Sequence, residues 1–77
     1  MKFYKWIVSQ KDDNSPIGDL ANDIISDSTF PKNTNALKKV RLHLVSKGAC
    51  RGALIAFDEA ADIWKDMKRN FNNQEKQ

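Results

Sequence analysis

One cysteine is all this chain has, so no internal disulfide staples it, which agrees with a reducing compartment. One histidine, His43, and no glycine-rich phosphate loop leave little from which to build an active site. No apolar run approaches the roughly 18–20 residues that a membrane span needs. The opening Met1-Lys2-Phe3-Tyr4-Lys5-Trp6 is too short an apolar stretch for a secretory leader. Lys11, Asp12 and Asp13 follow it where a small-residue cleavage site belongs. The expectation is a cytoplasmic protein without a membrane partner. Nor is there a linker or an internal repeat, and 77 residues suffice for one domain with a thin core. Two Trp and four Phe must therefore be used well.

What the chain does have is charge sorted into blocks. From Asp12 to Asp27 lie five carboxylates and no Lys or Arg. From Pro31 to Phe57 lie six cations (Lys32, Lys38, Lys39, Arg41, Lys47 and Arg51) and no carboxylate. From Asp58 to Asp66 lie four carboxylates and one Lys. This acidic, basic, acidic order constrains function more than the net charge of +3.

The apolar spacing is helical throughout, with no β-pattern. Phe3, Trp6 and Ile7 share one face of a short helix ending near Gln10, with Tyr4 and Val8 on its flank. Ser15-Pro16 marks a second start, Ser15 as cap and Pro16 at the first helical position. Ile17, Leu20, Ala21, Ile24 and Ile25 form its stripe, while Asp19, Asp23 and Asp27 recur at i+4 on or beside the opposite face. Pro31 disfavours helical geometry at Phe30, which is expected to fold back as a core anchor. A third helix begins near Asn33-Thr34-Asn35, any of which suits its cap. Leu37, Val40 and Leu44 face inward, Leu42 and Val45 lie at the margin, and Gly48 is the expected C-terminal cap. After a Cys50-Arg51-Gly52 connector, a last helix runs from about Ala53 to about Arg69 on Leu54, Phe57, Ala60, Ala61, Trp64 and Met67. The expectation is an all-α domain over residues 1–69, with four helices or five, and a flexible tail over 70–77.

Several landmarks together resemble a known family. Phe3-Tyr4-Lys5-Trp6, Leu20-Ala21-Asn22-Asp23-Ile24, Asp27 with Phe30-Pro31, and Phe57-Asp58 with Trp64 are similar, in order and spacing, to the YozE-type SAM-like domains of Gram-positive bacteria. The resemblance implies a compact SAM-like bundle and no established activity. SAM-like folds elsewhere serve protein association and, less often, nucleic-acid binding. The cationic segment from Lys38 to Arg51 departs from the family pattern.

Catalysis finds no constellation. His43 has no carboxylate near it in sequence and reads as a solvated helical residue. Cys50, beside Arg51 and Lys47, lacks a base and an oxyanion site. Asp19, Asp23 and Asp27 make a column rather than a calcium loop, and no Cys/His spacing suits zinc. No catalytic, metal or cofactor-binding residue is assigned, and no small-molecule substrate or cofactor is expected. Asp23, Asp27 and Asp58 are expected to bond loop or helix-end N–H groups. Trp6 and Trp64 are expected in the core.

The basic segment is the functional candidate. Lys38 and Arg41 share one helical face with Val45, and Lys39, His43 and Lys47 share the neighbouring one, with Lys32 and Arg51 extending the patch. Such a surface suits an acidic protein partner. It also suits weak, salt-sensitive, non-specific contact with nucleic-acid phosphates, without any base-reading motif. A solvated face balanced by the acidic helices is the plain structural alternative. Asp19 and Asp23 mark an acidic surface that would suit self-association, meeting Lys38, Lys47 and Arg51 of a second copy. The sequence thus points to a non-enzymatic binding module, with a protein partner ahead of nucleic acid.

Overall fold

The computed structural model describes the backbone of residues 1–75 and the side chains of residues 1–69. Its elements are α1 (Phe3–Val8), α2 (Pro16–Ser26), α3 (Leu37–Ser46) and α4 (Arg51–Glu75), and there is no strand among the described residues. Helix α4 is the spine. It packs on α1, α2 and α3, and α1 also packs on α2.

The core follows the helical stripes. Phe3, Trp6 and Ile7 enter it from α1, Leu20, Ala21 and Ile24 from α2, and Val40 and Leu44 from α3. Helix α4 supplies Ala56, Phe57, Ala60, Ala61 and Trp64. The alanines let α4 approach its neighbours closely, and the aromatic rings fill the space that remains. Phe3 is the hub, with its ring centroid 5.6 Å from Phe57 and 5.7 Å from Trp64, both edge-on. That geometry suits the ring quadrupoles. Trp64 is buried, yet its Nε1 has no hydrogen-bond partner among the described residues. The Lys68 ammonium stands 4.6 Å over its ring. Phe30 anchors the α2–α3 loop as expected, fully packed beside Tyr4.

Several boundaries differ from the sequence expectation, each for a local reason. Helix α1 stops at Val8 because the chain tightens into turns, with Gln10 N–H donating to Ile7 O and Asp13 N–H to Gln10 O. Ser15 holds the capping position of α2 but makes no side-chain capping bond. Helix α3 starts at Leu37, preceded by Ala36 and with no side-chain cap. Thr34 instead accepts from the Ala36 N–H. Asn35 caps a different helix, for its Oδ1 accepts the Phe3 N–H of α1 at 3.0 Å. Lys2 Nζ donates to the Asn33 carbonyl beside it. The loop before α3 therefore clamps the start of α1.

Gly48 is the cap of α3 that the sequence promised. Its φ is +78°, Gly48 N–H donates to Val45 O, and Ala49 N–H donates to Leu44 O. This paired pattern satisfies two orphan carbonyls at the helix end. Helix α4 then begins at Arg51, so the expected Cys50-Arg51-Gly52 connector shrinks, with Arg51 and Gly52 inside the helix. It continues to Glu75, past the expected end at Arg69. Residues 76–77 lie outside the described residues, as do the side chains of 70–77, on which the expected flexible tail falls.

Candidate interaction surfaces

The six cations of the basic segment do not form one uniform patch. Lys38, Lys39 and Arg41 sit on α3, Lys47 follows its last residue, Arg51 opens α4, and Lys32 lies in the loop between α2 and α3. Arg41 is engaged within the molecule. Its Nε donates to Asp58 Oδ1 at 3.0 Å and its Nη2 to Oδ2 at 3.2 Å, a forked contact between α3 and α4. Each partner answers the other. The Asp58 hydrogen bond raises the Arg41 pKa, and Arg41 holds the Asp58 carboxyl below its usual range. Both side chains remain about half exposed, so the pair adds little stability. Its consequence is to offset one cation of the patch in place. Asp58 thus meets a guanidinium rather than a backbone N–H. Lys32 stands 5.5 Å from the Tyr4 ring centroid. Lys38 and Lys39 remain exposed on α3.

The outward face of α3 is also more apolar than its charges suggested. Leu42 is 68% exposed and Val45 48%. Both were expected at the margin of the buried stripe. The inner stripe on Val40 and Leu44 is complete without them, because α3 meets the bundle mainly along α4. Helical spacing sets Lys38, Arg41, Leu42 and Val45 side by side on one face.

His43 corrects the sequence reading most directly. It is not solvated but lies 2.7 Å from Asp27 Oδ2, with 17% of its side chain exposed. Its ring meets Phe30 edge-on, with centroids 5.6 Å apart. Asp27 closes α2 in extended geometry, so its side chain leaves the Asp19–Asp23 column and turns towards α3. There its Oδ1 accepts from the Thr29 hydroxyl at 2.6 Å and the Thr29 N–H at 2.9 Å. Those bonds, the Thr29 hydroxyl first and His43 next, hold the Asp27 carboxyl well below its ordinary range. The network joins α2 to α3, two helices whose backbones do not pack on each other. Of the three aspartates expected to bond loop N–H groups, Asp27 does so through Thr29.

Asp19 and Asp23 stay exposed on α2, on the rim of a furrow between α2 and the first turns of α4. The furrow has two adjoining hollows of about 390 and 400 Å³ that share Leu20, Asp23, Cys50 and Ala53. One reaches towards Leu44 and Lys47, and the other towards Ile55, Ala56 and Glu59. Glu59 thus joins Asp19 and Asp23 from the opposite wall. Glu59 carries no signal in the sequence, because only the packing of α4 on α2 brings it opposite them. Cys50 is exposed in this furrow. Among the described residues no three His, Cys, Asp or Glu side chains converge as a metal would require, and no helix is long and apolar enough to cross a membrane.

Known proteins resemble the chain over most of its length. A family model described as the YozE SAM-like fold matches residues 2–66. A UPF0346 protein of Streptococcus pyogenes serotype M28 is 35% identical over 66 residues, covering 83% of this chain and 76% of the relative. A UPF0346 protein of serotype M5 is equally similar and is covered over 89% of its length. No solved structure matches.

Proposed function

The chain belongs to the YozE SAM-like family, and from that premise we propose that it is a non-enzymatic association module of the cytoplasm. Its partner is an acidic protein surface, bound by the outward face of α3. The observation that carries this reading is the exposure of Leu42 and Val45 among Lys38, Lys39 and Arg41. Cations alone would suit phosphates as well as carboxylates. Two exposed aliphatic side chains between them favour a protein, because burying apolar area is rewarded by a partner with apolar area of its own. Phosphate backbones offer none. The face also lacks an aromatic platform on which bases would stack.

Non-specific nucleic-acid binding through Lys32 to Arg51 is the competing function, supported by the absence of any carboxylate in that segment. Its cationic charge is reduced where Asp58 engages Arg41. Fluorescence anisotropy separates the two. Labelled duplex DNA and single-stranded RNA are titrated at about 50 and 200 mM salt, a range over which phosphate-dominated binding falls steeply. A photo-crosslinking residue at position 42, compared in cells with one at position 12, tests the protein partner. Discrete adducts at 42 alone support the proposal. Nucleic-acid binding that Leu42→Ala leaves intact and Lys38→Ala with Lys39→Ala abolishes would replace it.

A further inference from the structure

We propose that the chain carries a second interaction surface, distinct from the outward face of α3, whose partner is the phosphate backbone of a nucleic-acid duplex. It lies at the end of the bundle where the start of α1, the loop between α2 and α3, and the late turns of α4 meet. Two hydrogen bonds tie that loop to α1, for Asn35 Oδ1 accepts the Phe3 N–H and Lys2 Nζ donates to the Asn33 carbonyl. The Phe3 ring then packs edge-on against Trp64 of α4. These contacts bring Lys2, Lys32 and Lys68 to one end of the molecule from three separate stretches of the chain, all of them exposed.

What holds these lysines matters as much as where they stand. Lys2 Nζ rests on a carbonyl, Lys32 Nζ lies 5.5 Å from the Tyr4 ring centroid, and Lys68 Nζ lies 4.6 Å from that of Trp64. A carbonyl or a ring face attracts a cation without carrying a net charge that cancels it. The side chains are thus oriented before any partner arrives, which lowers the ordering cost of binding. None of the three forms an ion pair among the described residues, in contrast to Arg41, which Asp58 offsets. Residues 1–11 and 28–57 contain no carboxylate at all. Asp58 and Asp62 do line the hollow between α3 and α4, beside Lys38 and Lys65. The uncancelled surface therefore ends at that hollow and centres on Lys2, Lys32 and Lys68.

The same surface has no counterpart of Leu42 and Val45 between its cations. Phe3, Phe30 and Trp64 are buried, and of the exposed large apolar side chains only Met1 and Met67 adjoin these lysines in the chain. A protein or a lipid surface would gain little apolar burial there. Nor is a ring free to stack on unpaired bases, since the half-buried Tyr4 already faces Lys32. What this end offers is ammonium groups for a regular array of phosphates, a contact that positions a duplex without reading its sequence.

Fluorescence anisotropy of a short labelled DNA duplex with the full chain, at about 50 and 200 mM salt, tests this. Three phosphate contacts predict an affinity that falls by about 40-fold between the two conditions. Lys2→Ala with Lys32→Ala and Lys68→Ala should weaken binding by about tenfold or more at low salt and flatten the salt dependence. Lys2→Arg with Lys32→Arg and Lys68→Arg keeps each charge and should bind as the wild type does, with circular dichroism confirming that both variants fold. Lys38→Ala with Lys39→Ala, on α3, should leave most of the binding in place. A wild-type chain that does not bind at low salt overturns the proposal, and so does an alanine triple variant that binds as well as the wild type. Neither result touches the reading of α3, which position-42 adducts test separately. Binding that the α3 lysine pair abolishes and the triple variant keeps would instead assign the phosphates to α3. A labelled single strand, or vesicles rich in phosphatidylserine, that bind at least as tightly with the same dependence on the three lysines would overturn the duplex as partner.

Discussion

Replacing each glycine by alanine in turn should give three different outcomes, two of which depend on backbone geometry. Gly18 lies inside α2. Helix propensity alone predicts a gain of about 1 kcal/mol for alanine there. The structure predicts the opposite sign. A Cβ on Gly18 would collide with the backbone carbonyl of Asp13, which the turn after α1 presses against the helix. A carbonyl oxygen held by backbone does not swing aside like the end of a side chain. The segment must move, and overpacking of this kind costs about 1–3 kcal/mol. Its movement also strains the bond from Asn22 Nδ2 to the Lys11 carbonyl, now 2.9 Å, whose loss costs about 1 kcal/mol more. After the propensity gain, Gly18→Ala should be net destabilising by about 2 kcal/mol, which lowers Tm by roughly 8–16 °C in a domain of this size. Gly52 has only Cys50 Sγ near its virtual Cβ, at 4.0 Å, so Gly52→Ala should be neutral or stabilising by up to about 1 kcal/mol. Gly48 has open space but a φ of +78°, so its alanine costs about 1 kcal/mol for backbone reasons alone. Thermal melts of the three variants by circular dichroism decide the matter. A Tm for Gly18→Ala at or above that of Gly52→Ala would refute the packing of the Asp13 carbonyl on α2.

Asn35→Ala should destabilise by about 1 kcal/mol, the usual worth of a capping side chain, and speed amide exchange at Phe3, whereas Asn35→Asp keeps the acceptor and should be tolerated. The stability that Asp27 contributes is fully present above its unfolded pKa near 4 and is lost as pH falls below that towards its depressed folded value. Asp27→Asn should therefore be less stable than the wild type at neutral pH, with the gap closing in urea melts as pH drops below about 4. Asp58→Asn should barely change Tm, because the pair it breaks is half exposed. By freeing Arg41 it should strengthen polyanion binding and steepen the salt slope by about one ion.

The helices themselves were legible in the residues. Phe3-Trp6-Ile7, Leu20-Ala21-Ile24, Val40-Leu44 and Phe57-Ala60-Ala61-Trp64 are local repeats of helical period, and local repeats decide which stripe is buried. Pro16 and Gly48 fixed a start and a stop through their own backbone constraints. Family membership was legible for a similar reason, since the order of such landmarks survives in sequence. Ile25, Leu42, Val45 and Met67 matched the period at the edges of their stripes yet stayed exposed. Periodicity gives a direction around a helix, not the width of the neighbour that covers it.

The candidate surfaces were legible only as charge blocks. Asp19, Asp23 and the lysines of α3 lie where the sequence put them, on exposed helical faces. What the sequence by itself determined is the set of helices, their buried stripes and the sign of each surface, because these rest on contacts between near neighbours in the chain. Only the tertiary structure decided that Asn35 caps α1, that His43 meets Asp27, that Arg41 is held by Asp58 and that Glu59 faces Asp19 and Asp23 across a furrow. Each of those pairings joins residues far apart in the chain. Each is set by how the helices cross, and no local spacing encodes that crossing.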